Sequence, residues 1–382
     1  MTPERGFPVA EFTARVARAQ ALMADQGLVA LLLTTEPEVR YYTGFLTRFW
    51  ESPTRPWYVV LPASGAPIAV IPSIGAHLMG QTWIADIRTW PAPDYTDDGI
   101  GLLADSLREV VPADGWIGLA DHLESHVHMP RAALTALEDH LGTRALVSDG
   151  GITHRLRQVK SDLEIAKIAH AVRIADRAFA RVPEIATVGV PLDRVFRDFQ
   201  RLCLEEGADW VPYLAGGAGP DGYGDVISPA TEQPLAHGDV LMLDTGLVWD
   251  GYFCDFDRNY AVGEASPVAE AAHAQLIDAT EAGFAAARPG ARFADIYHAM
   301  APIVGADATS GRLGHGLGMQ LTEGPSILPF DQTVLEPGMV LTLEPAVTVA
   351  PGKLMVHEEN IVIRETGPAY LSTPAPHGLN VI

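Results

Sequence analysis

The sequence predicts an α/β domain over residues 1–150, followed by an α+β domain over residues 155–382. Three observations carry this. The chain has 382 residues, too many for one ordinary core. Strand-like apolar runs alternate with helical periodicity up to about residue 150. Beyond it, strands grouped near the middle and end are interleaved with helices, which suits antiparallel sheet.

In the first domain, residues 10–26 fit a helix with Phe12, Val16, Ala19 and Leu22 on one stripe. "LVALLLTT" (28–35) reads as a buried strand. "PWYVVLP" and "PIAVIPS" read as two more, separated by the turn "ASGA". "SDGGITHRLRQVK" is the expected link. Ser161 and Glu164 then form a capping box, after which Ile165, Ile168, Val172, Ala175, Phe179 and Val182 recur at helical spacing. Further helices fit 191–206, 267–288 and 292–304; strands fit 239–248, 252–261, 338–348 and 354–364.

The net charge of −22 argues against a nucleic-acid partner, which would need basic patches, and is compatible with a cationic substrate or a metal ion. Hydrophobic residues at 48% allow sizeable cores. Cys203 and Cys254 are the only cysteines, so no disulfide framework is expected and the reading is a cytoplasmic protein. The first residues show no basic segment leading into an apolar run, so no signal peptide is expected. No apolar run approaches the ~20 residues of a membrane helix, so no membrane association is expected either.

The chemistry starts at "LDTGLVWDGYFCDF" (243–256), where acids interrupt an apolar stretch. Asp250-Gly251 is a favoured two-residue hairpin turn. That turn sets Trp249 opposite Tyr252, Gly246 opposite Asp255 and Asp244 opposite Asp257, with all three of these acids on one face. Like charges so placed repel unless a cation or proton lies between them, and a divalent cation is the simplest remedy. Asp250 belongs to the turn. Downstream, "GRLGHGLG" (311–318) sets His315 among glycines, and Glu344, Glu358 and Glu359 lie in apolar strands. Alternation sends Glu358 and Glu359 to opposite faces. The carboxylates plus one imidazole suit two divalent ions with bridging ligands. "GAGPDG" (217–222) fits a dinucleotide fingerprint by letter only, since no convincing helix follows. Cys254 alternates away from Asp255 and reads as core.

This ordered set resembles the "pita-bread" metallopeptidases: the aminopeptidase P, prolidase, methionine aminopeptidase and creatinase group. The family pattern is Asp, ten residues, Asp, a Gly-flanked His, a strand Glu and a final Glu. It is met by Asp244, Asp255, His315, Glu344 and Glu358. Similarity extends to "RQVKSDLEIAKIAHAVRIAD" and "GLVALLLTTEPEVRYYTGF". The resemblance implies a creatinase/prolidase-type N-terminal α/β domain and a pita-bread catalytic domain, in a homodimer. It also implies two divalent ions, with manganese expected and cobalt, zinc or iron also compatible. In that family Asp244 would bind one ion, His315 the other, and Asp255 and Glu358 both. Glu344 would bind one ion and serve as the catalytic proton acceptor. Asp257 would support a ligand or water from behind.

The sequence also departs from its relatives. Accessory histidines are replaced by Thr322, seven residues after His315, and by Gly311, four before it. Ser228 or Ile227 stands where a third histidine lies upstream, and Val356 replaces an arginine. Threonine and serine hydrogen-bond but do not carry a proton charge at neutral pH. Tyr223, Ser228, Thr322, Glu323, Trp50 and Arg55 are the candidate substrate-pocket residues; the last pair lies in "FLTRFWESPTRPW", a candidate lid. The expected function is dinuclear metal-dependent hydrolysis of a C–N bond in a peptide or small amide, Xaa-Pro peptidase-like. The alternatives are a creatinase- or ectoine-hydrolase-like enzyme, a dimethylsulfoniopropionate lyase-like enzyme, or a non-catalytic binding protein.

Overall fold

The computed structural model describes residues 2–52, 56–306 and 310–382. It divides into two units, Glu4–Arg157 and Gln158–Ile382, the latter also taking in residues 2 and 3. Among the described residues no helix is long and apolar enough to cross a membrane.

The first unit is built on a mixed six-stranded sheet. Its strand order is Asp86–Trp90, Ile68–Pro72, Tyr58–Pro62, Leu28–Leu33, Trp116–Leu119 and Ala145–Ser148. "ASGA" joins an antiparallel pair, as expected. The opening helix, Val9–Gln26, buries Phe12, Val16, Ala19 and Met23. Met23 replaces the expected Leu22, because eleven residues bring the helix back to the stripe that begins at Phe12 more closely than ten do. Ala30, Leu32, Val60 and Val70 on the sheet pack with Leu103, Leu107, Leu137 and Leu141 from the helices Ile100–Val110 and Arg131–Leu141.

The second unit starts with the helix Asp162–Ala180, capped reciprocally by Ser161 and Glu164. One five-stranded sheet has the order Asn380–Val381, Phe256–Ala261, Asp239–Trp249, Trp210–Pro220, with Tyr252–Phe253 also on Asp239–Trp249. The other runs Glu323–Ser326, His315–Gly316, Val340–Leu343, Glu359–Arg364, Gly367–Tyr370. The helices Pro267–Ala286 and Phe293–Val304 pack together, and their Leu276, Ile296 and Met300 share one core with Met242, Leu341, Leu343 and Ile361.

Two differences from the sequence reading matter for the site. Three expected strands are each interrupted. The breaks fall at Cys254–Asp255, at Glu344–Pro345 and at His357–Glu358, so three of the candidate ligands stand where a ladder stops. An eleven-residue strand, Trp210–Pro220, was not expected. Its glycines disguise it: a Cβ on Gly216 would lie 2.2 Å from the Met242 carbonyl oxygen.

Candidate metal centre

The hairpin forms in the expected register. Asp250 and Gly251 take φ of +48° and +78°, as a type I′ turn requires. Trp249 pairs with Tyr252, and Asp244 with Asp257. Between these pairs the ladder opens, and Asn360 fills the gap. Its Oδ1 accepts from the Asp255 backbone N–H at 3.1 Å, and its Nδ2 donates to the Asp255 carbonyl. This reciprocal amide pair satisfies the backbone that the break would otherwise orphan. It also fixes where the Asp255 side chain leaves the chain.

His315 is placed by its glycines. Gly314 has φ +136°, and a Cβ there would sit 2.3 Å from the Thr342 carbonyl oxygen; one on Gly316 would sit 2.6 Å from that of Glu323. Only glycine lets the backbone run this close between its neighbours. The His315 N–H donates to Thr342 Oγ1 at 3.1 Å. Its Nδ1 lies 2.8 Å from the Gly316 carbonyl oxygen, which makes Nδ1 the protonated nitrogen and leaves Nε2 as a lone-pair donor. Nε2 faces Asp255 Oδ2 at 3.3 Å and Glu344 Oε2 at 4.0 Å.

Ligand atoms of Asp255, His315 and Glu358 all lie within 4.8 Å of one another, and all three residues are buried. Asp244 Oδ1, Asp257 Oδ2 and Glu358 Oε1 are buried without a hydrogen-bond partner. Burial and mutual repulsion hold the carboxyls of Asp244, Asp255 and Glu358 far above the usual carboxylate range, and burial also raises that of Glu344. Crowded, desolvated oxygens with orphan lone pairs beside an imidazole fit divalent cations. Glu344 is the most open member, with 30% of its side chain exposed.

Support comes from behind. Asp257 Oδ1 accepts from the Glu358 N–H at 3.1 Å and lies 3.3 Å from His357 Nδ1; His357 Nε2 lies 3.2 Å from Glu359 Oε1. Glu359 faces away from Glu358, toward Arg258 at 3.0 Å. Burial opposes its ionisation, but Arg258, His357 and Ser372 together hold its carboxyl down at about 2. Tyr213, which the sequence reading missed, stands near the same acids: burial and then the charges of Asp244 and Asp255 push its hydroxyl up. It is two residues from Ala215, the strand partner of Asp244, and so shares its face. The hidden Gly-rich strand concealed this signal.

The pocket candidates separate. Thr322 is half-buried and accepts from Arg312 Nη2 at 3.4 Å. Tyr223 is instead a core residue: its hydroxyl donates to Asn259 Oδ1 at 3.2 Å and accepts from the Val356 N–H at 2.7 Å. Glu323 is likewise corrected, being buried in an ion pair with Lys160 at 3.1 Å and accepting from the Met319 N–H. Ser228 is exposed and gives its hydroxyl to Asp225. Trp50, in the first unit, packs on Trp57 and His128; Arg55 lies outside the described residues. Asp250, besides making the turn, pairs with the buried Lys167. Cys254 is core, as expected.

A second trio, Asp278, Glu281 and His377, also lies within 4.8 Å, but all three are exposed. His377 Nε2 lies 3.3 Å from Glu281 Oε1, an ordinary surface pairing.

Residues 166–365 match the metallopeptidase family M24, and residues 15–159 match the creatinase/prolidase N-terminal domain. The chain belongs to the metallopeptidase family M24. It is 30% identical to a probable dipeptidase PepE of Mycobacterium bovis, over 99% of this chain and 98% of that one. It is 28% identical to an Xaa-Pro dipeptidase of Pyrococcus furiosus, over 56% of this chain and 62% of the other. The crystal structure of a dipeptidase PepE from Mycobacterium ulcerans superposes with a TM-score of 0.84 at 29% identity, covering 99% of both chains. The two-domain fold expected from the sequence is thereby shared with solved peptidase structures.

Proposed function

We propose that this chain hydrolyses the peptide bond of dipeptides, with two divalent cations held by Asp244, Asp255, His315, Glu344 and Glu358. The observation that carries the reading is the convergence of buried, partnerless carboxylate oxygens on His315 Nε2. Two divalent ions, when bound, lower the pKa of a water and polarise a carbonyl. Asp255 and Glu358 would help hold the ions, with Asn360 and Asp257 fixing their backbones. Glu344, open to solvent on one side, accepts the proton of the attacking water at Oε2 and returns it to the leaving nitrogen. Thr322 offers a hydroxyl where relatives carry a second proton-transfer group, so Glu344 performs this step alone. Manganese is the ion we propose, on the oxygen-rich donor set. A cytoplasmic location is proposed on the two buried free cysteines, and a homodimer on family resemblance.

Metal analysis and a turnover panel test the reading. The panel contains Xaa-Pro dipeptides, other dipeptides and small amides. Two divalent ions per chain and dipeptide turnover are expected; turnover confined to non-peptide amides would overturn the dipeptidase reading.

A further inference from the structure

Arg312 has no part in the reading above, yet the fold places it at the rim of the same cluster. The Glu344 N–H donates to the Leu313 carbonyl oxygen at 3.0 Å, and the Leu313 N–H donates to that of Ile327, also at 3.0 Å. Residue 312 is therefore held next to Glu344 and three residues before His315. Leu313 is buried while Arg312 is exposed, so the arginine leaves the chain on the open side. Its Nη2 donates to Thr322 Oγ1 at 3.4 Å, which orients the guanidinium. Acids outnumber lysine and arginine 48 to 26 in this chain, but Arg312 makes no ion pair among the described residues.

An exposed, oriented guanidinium presents paired N–H donors that match a carboxylate. An anion approaching a chain of charge −22 is repelled overall, so it needs a local cation to be held. We propose that Arg312, oriented by Thr322, binds the free carboxylate of the substrate, and so selects dipeptides over C-terminally blocked or longer peptides. This rests on the peptidase reading for the substrate class. It assigns the anion-binding role to a residue on the His315 segment, while Val356 offers no charge at the position where relatives carry an arginine.

The test compares a dipeptide with its C-terminal amide, by kcat/KM and by calorimetric affinity, on manganese-loaded wild type, Arg312→Met and Arg312→Lys. Each protein is also checked for metal content and melting temperature. Wild type is expected to favour the free acid by about 10–100-fold, the range for a hydrogen-bonded charged group. Arg312→Met should bring that ratio toward unity at unaltered metal content, and Arg312→Lys should fall between, because lysine keeps the charge but loses the fork. An unchanged ratio in Arg312→Met overturns the assignment. If wild type turns over no peptide but binds the acid more tightly than the amide, and Arg312→Met loses this, the assignment stands and the peptidase reading fails. Absence of both binding and turnover overturns both.

Discussion

Asp244 and Asp257 face each other directly across an antiparallel ladder, and both are buried. Opposed like charges destabilise a sheet, and burial multiplies the penalty. Folding has brought together groups that only a cation or protons can reconcile.

The first prediction follows from that conflict. Without metal, Asp244, Asp255 and Glu358 hold protons more tightly folded than unfolded, where carboxyls titrate near 4. The folded state then binds more protons at these three groups, so their contribution to stability is most favourable at low pH and falls as pH rises through the raised folded values. Chelator-treated protein should melt below manganese-loaded protein by a gap that widens by about 5 °C or more between pH 5 and 8. A pH-independent gap would count against a cation reconciling these acids.

Asp255→Ala should abolish tight metal binding and lower kcat/KM by at least about 1,000-fold, since it removes a buried carboxylate proposed to hold the metal. Metal analysis and dipeptide turnover check this together. Retention of both would sink the proposed centre.

Asp257→Ala addresses the supporting layer. It removes the acceptor of the Glu358 N–H and the neighbour of His357. Loss of such support typically costs 10–100-fold in metal affinity, and about that loss is expected in competition with a chelating dye. A change as large as that of Asp255→Ala would make Asp257 a direct ligand instead.

Arg258→Met should destabilise the second unit by roughly 3–5 kcal/mol, because it leaves Glu359 buried without its cation. Glu359 titrates at about 2 when folded, so its contribution is present above the unfolded value and lost as pH falls toward 2. Denaturant unfolding at pH 7 and pH 4 measures both effects; the difference between wild type and variant should shrink at the lower pH.

Gly314→Ala tests the placement of His315. The new Cβ would meet the Thr342 carbonyl at 2.3 Å in a backbone conformation that alanine disfavours. A loss of about 1–3 kcal/mol in stability is expected, together with weakened metal binding, because His315 must move. Unaltered metal binding would show that the Gly314 backbone does not set the imidazole.

Much of the centre was legible in local sequence. Asp250-Gly251 specifies a turn, the turn specifies register, and period-two alternation then separates Asp244 and Asp255 from Cys254 and Glu358 from Glu359. Each step depends only on neighbours along the chain. Ser161 and Glu164 likewise set a helix start through a local exchange of hydrogen bonds.

Other features depend on residues far apart in sequence. Asn360 stabilises the break at Asp255 across 105 positions, and nothing near either residue announces it. Glu323 and Tyr223 look like pocket residues because both carry polar groups in varied surroundings. Lys160, Asn259 and Val356 claim those groups in the folded chain, at separations no local pattern reports. The Trp210–Pro220 strand escaped notice because β-propensity measures side chains that fit a pleated surface, whereas Gly216 is there to let two backbones meet. Sequence by itself therefore determined the hairpin register, the side on which Asp244 and Asp257 oppose each other and the separation of Glu358 from Glu359, since these follow from short-range geometry. Tertiary structure decided where the ladders break, which polar groups are already satisfied, and which cation, Arg312, remains at the rim, because those outcomes depend on partners brought together only by packing.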